Sequence, residues 1–145
     1  MESSNSAWNR IGPLEYHADL DQFCGDVAVD DCTVSVTLDM NGRQASDALL
    51  ECGLTFLRHL STLQRAAMDH VCIHMLKLKN QTWLRELESP VSEAEFKDRL
   101  KLIQAWLNPD GTGALTFEDG GLFWGHDVIV DFASDGSFGR PSLYG

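Results

Sequence analysis

The stretch "EDGGLFWGHDVIVDF", residues 118–132, decides how the chain is read. Two carboxylates and two glycines lead to Phe123-Trp124, then Gly125, His126 and Asp127, then a β-branched apolar run. A histidine beside an aspartate, after a glycine, invites a catalytic reading. The alternation beyond it predicts a strand instead. Neighbours in a strand point to opposite faces, so His126 and Asp127 cannot form a hydrogen-bonded dyad. The pattern places Phe123, Gly125, Asp127, Ile129 and Asp131 on one side. Leu122, Trp124, His126, Val128, Val130 and Phe132 take the other. His126 then lies in line with apolar residues, as a core histidine bonded to a backbone carbonyl or a carboxylate.

This strand has company. "LKLIQAWL" (100–107) alternates Leu102, Gln104 and Trp106 with Ile103, Ala105 and Leu107. Turn chemistry follows at 108–111, at 119–121 and at 134–136, which predicts a four-stranded meander. Earlier, "FCGDVAVDDCTVSVTLDM" (23–40) reads as a hairpin, with Asp30-Asp31 as its turn and Asn41-Gly42 closing the second strand. Between these two β ends, residues 44–79 repeat apolar positions at three and four: Ala45, Leu49, Cys52, Phe56, Leu60 and Leu63, then Ala67, Val71, Met75 and Leu78. A break is expected near Ser61-Thr62, and Asn80 suits a C-terminal cap. Ser92 with Glu95 forms a capping box that opens a short helix. The expected fold class is α+β. An antiparallel sheet, made of the N-terminal hairpin and the C-terminal meander, packs against helices from the middle of the chain. Residues 1–145 read as one domain, with 1–12 as a candidate disordered tail.

The formal net charge is −11, and it is unevenly spread. Residues 1–42 hold Glu2, Glu15, Asp19, Asp21, Asp26, Asp30, Asp31 and Asp39 against Arg10 alone. Residues 102–145 hold Asp110, Glu118, Asp119, Asp127, Asp131 and Asp135 against Arg140 alone. The helical middle is balanced. Negative charge on the sheet-forming ends argues against a nucleic-acid partner and suits a basic protein. No apolar run approaches the ~18 residues of a membrane span. The N-terminal residues lack a basic-then-apolar signal pattern. A cytoplasmic protein with no membrane partner is therefore expected. Cys24, Cys32, Cys52 and Cys72 show no metal or scaffold spacing, so reduced, half-buried thiols are expected.

Two further patterns could carry chemistry. "NPDGTGALTFED" (108–119) has the acids and glycine of a calcium loop, with Asp119 in the twelfth place. It lacks the flanking helices, so a hairpin loop is expected. His70 and His74 share a helix face at zinc spacing, but Val71 stands where a zinc protease needs a glutamate. No activated serine and no phosphate-cradling glycine loop occurs. No catalytic residue, metal ligand or cofactor is assigned from these patterns. The oligomeric state leaves no signature.

"LKLKNQTWL" (76–84), "VSEAEFKDRLKLIQAWL" (91–107), "GALTFEDGGLFWGHDVIV" (113–130) and "SLYG" (142–145) resemble the bacterial family domain of unknown function 2262. The family pattern maps here to Leu78, Asn80, Trp83, Phe123, Trp124, Gly125 and His126. The resemblance implies an α+β fold. It also implies a place beside polymorphic or contact-dependent toxins, as a suspected immunity factor, and it carries over no catalytic residue.

The expected function is thus a cytoplasmic immunity protein, not an enzyme, that neutralises a basic cognate toxin through an acidic surface. The carboxylates expected to bind are Asp30, Asp31, Asp39, Glu118, Asp119, Asp127 and Asp131, with Asp19, Asp21 and Asp26 close by. Trp106 or Trp8 would be the aromatic anchor. The alternatives are a metal-dependent enzyme using His126 or His70 and His74, and a calcium-responsive module using residues 108–119.

Overall fold

The computed structural model describes residues 10–43 and 46–145. Eight strands form one sheet in chain order: β1 (Arg10–Ile11), β2 (Leu14–His17), β3 (Gln22–Val29), β4 (Cys32–Asp39), β5 (Lys101–Leu107), β6 (Gly113–Glu118), β7 (Asp127–Phe132) and β8 (Ser142–Tyr144). Between β4 and β5 come the helices α1 (Asp47–Arg58), α2 (Leu60–Thr82) and α3 (Glu93–Arg99). The fold is α+β, as expected, with strands at both ends and helices in the middle.

Every neighbouring pair is antiparallel except β4 with β5, which is parallel. The expectation of a purely antiparallel sheet is corrected at this one seam. A parallel neighbour needs a crossover long enough to bring the chain back to the starting end, and the three helices supply it. The N-terminal hairpin and the C-terminal meander therefore fuse into a continuous sheet. Residues 10–12 belong to the expected tail, 1–12, yet Arg10–Ile11 is a strand. Residues 10–17 pair onto the edge of the sheet. They add two strands, with Ile11 and Leu14 buried. The rest of the expected tail, residues 1–9, lies outside the described residues, as do Trp8 and Ala45.

One face of the sheet is apolar. Phe23, Val34, Val36, Leu38, Ala105, Leu107, Leu115, Phe117, Val128, Val130 and Phe132 point at the helices and are buried. Leu60, Ala67, Val71, Met75 and Phe96 meet them from the helix side. Gly53 lets α1 lie close: a Cβ there would stand 2.8 Å from Leu38 Cδ1 and 3.2 Å from Ile11 Cγ2. Phe56 stacks on Phe132, with 6.0 Å between centroids. No helix among the described residues is long and apolar enough to cross a membrane.

Several local expectations shift. The helix break falls at His59, just before Ser61-Thr62. Asn80 does not cap. The helix runs on to Thr82, and the Asn80 side chain pairs with the Val91 backbone, donating to its carbonyl (3.0 Å) and accepting its N–H (2.8 Å). Cys52 and Leu78 are exposed, whereas Lys79 is completely buried. Both a three-step and a four-step move from Met75 keep to one helix face. Apolarity favoured Leu78, but the buried seat went to Lys79, which finds polar partners there. Ser92 Oγ accepts the Glu95 N–H at 3.1 Å, as the cap predicts. On β5 the register slips between Leu102 and Gln104. This bulge flips the alternation, so Leu102 and Ala105 share the buried face although they are three apart.

Candidate functional site

The second face of the sheet carries the acidic residues. The pairing register aligns Glu15, Cys24, Thr37, Trp106, Ala114 and Asp131 as one row across six strands. A neighbouring row runs Asp26, Ser35, Gln104, Thr116, Ile129 and Ser142. Asp39, opposite Gln22, and Glu118, opposite Lys101, fall on the same face, as does Asp127, opposite Tyr144. Glu15, Asp26, Glu118 and Asp131 are exposed, and Asp39 and Asp127 are half-buried. Among the described residues, no helix lies on this face. Its cations are few: Arg10 is ion-paired with Glu15 at 2.8 Å, and Lys101 stands in register with Glu118.

Of the carboxylates expected to bind a partner, Asp39, Glu118, Asp127 and Asp131 share this face. Asp26, a secondary expectation, joins them. Asp30 and Asp31 do not. They sit at the tip of the β3–β4 turn, and Asp30 is turned toward α2. It accepts from Ser61 Oγ at 2.9 Å and Gln64 Nε2 at 3.0 Å, with Arg65 Nη2 at 3.3 Å. Asp30 thus fastens the hairpin to the helix. Asp21 is equally engaged. It accepts the Tyr16 hydroxyl and the Gly42 N–H, each at 2.7 Å. Those two donors, the hydroxyl foremost, hold its carboxyl below the usual range, while the same bond raises the Tyr16 phenol.

Asp119 is the clearest correction. It is 3% exposed, with its carboxylate turned into its own loop. Its Oδ1 accepts the Gly121 N–H at 3.1 Å. Its Oδ2 accepts those of Phe123 (2.8 Å) and Gly125 (2.9 Å). The carboxylate is the hub of the 119–126 loop, which replaces the expected first half of the strand; β7 starts only at Asp127. Three N–H groups from alternate residues aimed at one anion require a tight coil, and the loop adopts it. Trp124 holds φ +61°, a left-handed conformation costly for a large side chain, clamped by bonds on both sides. Gly120, at φ +59°, backs onto the Arg99 carbonyl, where any Cβ would collide.

Of the residues that carried the family resemblance, Trp83 meets Phe123, Trp124 and His126 at this loop, while Asn80 pairs with Val91 and Leu78 is exposed. Trp83 packs edge-on against Phe123 (5.8 Å), Trp124 (4.9 Å) and His126 (5.4 Å). Trp124 Nε1 donates to the Trp83 carbonyl at 3.0 Å. His126 Nδ1 donates to the Phe123 carbonyl at 2.7 Å, the backbone partner expected of it, although the ring is half-buried rather than in the sheet core. Beneath lies the Lys79 ammonium, which donates to the Trp83 carbonyl (2.9 Å) and Glu88 Oε1 (3.0 Å). Glu88 also accepts the Arg85 N–H at 2.8 Å and lies 3.5 Å from Arg99. These contacts, the Arg85 N–H first and Lys79 next, hold the Glu88 carboxyl down at about 2. No periodicity in the sequence announces this corner, because its parts come from four separate segments. The one available signal was the spacing shared with the family.

The two further chemical patterns resolve plainly. Residues 108–112 form the β5–β6 hairpin loop. Asp119 lies at the far end of β6, ~20 Å of extended strand away, so no calcium loop closes. Within the loop the polar groups hold one another: Trp106 Nε1 donates to Asn108 Oδ1 (2.8 Å), Asn108 Nδ2 to Thr112 Oγ1 (3.1 Å), and Thr112 Oγ1 to Asp110 Oδ1 (2.6 Å). The Thr112 hydroxyl and N–H lower the Asp110 pKa. The His70 and His74 rings lie tilted against each other with centroids 4.4 Å apart, and His70 Nε2 donates to the Gly139 carbonyl at 2.7 Å, tying α2 to the C-terminal segment. Among the described residues, no three His, Cys, Asp or Glu side chains gather as metal ligands would. The four thiols are free; Cys24 and Cys32 are half-buried as expected, Cys72 is buried and Cys52 exposed.

No curated protein and no solved structure matches the chain. The family model described as "Uncharacterized protein conserved in bacteria (DUF2262)" matches residues 9–141, the Trp83 corner and strands β1 to β7 included, and the chain belongs to that family.

Proposed function

We propose that this chain is a cytoplasmic binding protein of the immunity type, which neutralises a basic toxin domain by docking it on the acidic face of the sheet. One observation supports the reading above others. Carboxylates from β2, β3, β4, β6 and β7 are displayed together on the face away from the helices, and Arg10 and Lys101 there stand opposite Glu15 and Glu118. A broad negative field steers a positively charged partner and speeds its association. Rigid strands hold the charges at fixed spacing, which suits recognition of one complementary surface. The link to toxins comes from the family resemblance, and the partner's basic character comes from this face.

Co-expression with the product of the adjacent gene is the direct test. The wild-type chain restores growth of cells making a toxin encoded there. The variant Asp26→Lys/Glu118→Lys/Asp127→Lys/Asp131→Lys loses protection while keeping the native circular dichroism. Full protection by that variant would sink the proposal.

A further inference from the structure

On the acidic face, near one end of β5, β6 and β7, a depression of about 570 Å³ is lined in part by Trp106, Asn108, Thr112, Ala114, Asp131 and Ser137. Trp106, Ala114 and Asp131 are consecutive in one cross-strand row. With strands ~4.8 Å apart, the indole and the carboxylate rise from positions ~10 Å apart, and only a methyl group stands between them. The indole is held by the relay from its Nε1 through Asn108 and Thr112 to Asp110. Asp131 is exposed, and no cation among the described residues pairs with it.

A flat cation seated over Ala114 would meet an aromatic face on one side and an anion on the other. A guanidinium fits that gap best. It stacks on indole within ~6 Å, and its paired N–H groups match both carboxylate oxygens. An ammonium has no flat face to stack and no fork to pair. We infer that this depression is an arginine-recognition pocket, which receives one arginine side chain of the basic protein docked on the acidic face. The inference rests on the proposed function for the identity of the partner, and on the pocket alone for the chemistry.

The full-length ¹⁵N-labelled chain, titrated with N-acetyl-arginine methylamide, its lysine counterpart and its neutral isostere N-acetyl-citrulline methylamide, tests the chemistry. The arginine probe is expected to shift the Trp106 indole N–H and the Ala114 and Asp131 amides saturably. Citrulline should bind about tenfold more weakly or worse, with lysine in between. Asp131→Asn should abolish the preference for arginine, Trp106→Leu should reduce it, and Asp26→Asn, on the same face outside the depression, should leave it unchanged. Equal binding of arginine and citrulline, persistence in Asp131→Asn, or shifts scattered over every carboxylate of the face would overturn the pocket. Growth protection lost in Asp26→Lys/Glu118→Lys but intact in Asp131→Asn would also overturn it and leave the acidic face standing. Protection indifferent to the reversals would instead overturn the face, whatever the probe does.

Discussion

Asp119 shows how much one buried carboxylate can organise. Its three backbone donors have no other partner at hand, and a charge-assisted bond is worth about 1.5–3 kcal/mol. Asp119→Ala should therefore cost about 3 kcal/mol or more of unfolding free energy in urea denaturation, with Asp119→Asn falling between it and wild type. A loss under 1 kcal/mol for the alanine variant would contradict the hub role. Glu88 makes a second prediction, through pH. Its folded pKa, about 2, lies below its ordinary 4.5. Its contribution is therefore complete above pH 4.5, drains as pH falls, and is gone below about 2. The stability gap between wild type and Glu88→Gln should narrow across that window. Because Lys79 is fully buried, Glu88→Gln strands a charge, whereas Lys79→Met removes it. Glu88→Gln should thus be the more destabilising of the two at neutral pH in thermal melts.

At the scale of elements, the contest at Gly53 can be weighed. Alanine gains ~1 kcal/mol of helix propensity over glycine. The new methyl would press on the tips of Leu38 and Ile11, which can give by a few tenths of an ångström. Gly53→Ala should therefore be near neutral in denaturant midpoint. Gly53→Leu cannot be absorbed, and should cost roughly 1–3 kcal/mol by forcing α1 away from β1 and β4. The elements themselves were mostly legible: the two-residue Asp30-Asp31 turn, the capped start of α3 and the apolar stripe of α2 follow from local chemistry. What escaped did so for physical reasons. The β5 bulge breaks period two, so Ile103 cannot be assigned a face from alternation. Residues 122–126 alternate well enough for a strand, yet the buried Asp119 recruits their N–H groups and coils them instead.

For the whole molecule, the decisive property is that the helices of the described residues all lie on one side. This leaves a sheet face with dense negative charge, and the interaction should carry the signature of such a field. With a Debye length of ~8 Å at physiological salt, charge on that face is felt at short range only. Association with a basic partner should slow about tenfold or more between low and high salt, while dissociation changes less. Stopped-flow binding over a salt series measures this, and a salt-independent association rate would argue against the docking face. The sequence placed Asp39, Glu118, Asp127, Asp131 and Trp106 among the candidates but had no means to group them. It gave equal standing to Asp30 and Asp119, since a carboxylate that braces a hairpin or a loop looks the same in one dimension as one left in solvent.

Local chemistry along the chain settled the element types, the two β ends, the helical middle and the uneven charge, because each depends on contacts only a few residues apart. Tertiary structure alone decided three things: the parallel seam that fuses the two β ends, the assembly of the Trp83 corner, and the row that sets Trp106 across Ala114 from Asp131. Strand register and burial arise from pairings between residues far apart in sequence, and no periodicity within a single segment encodes which strand will lie next to which.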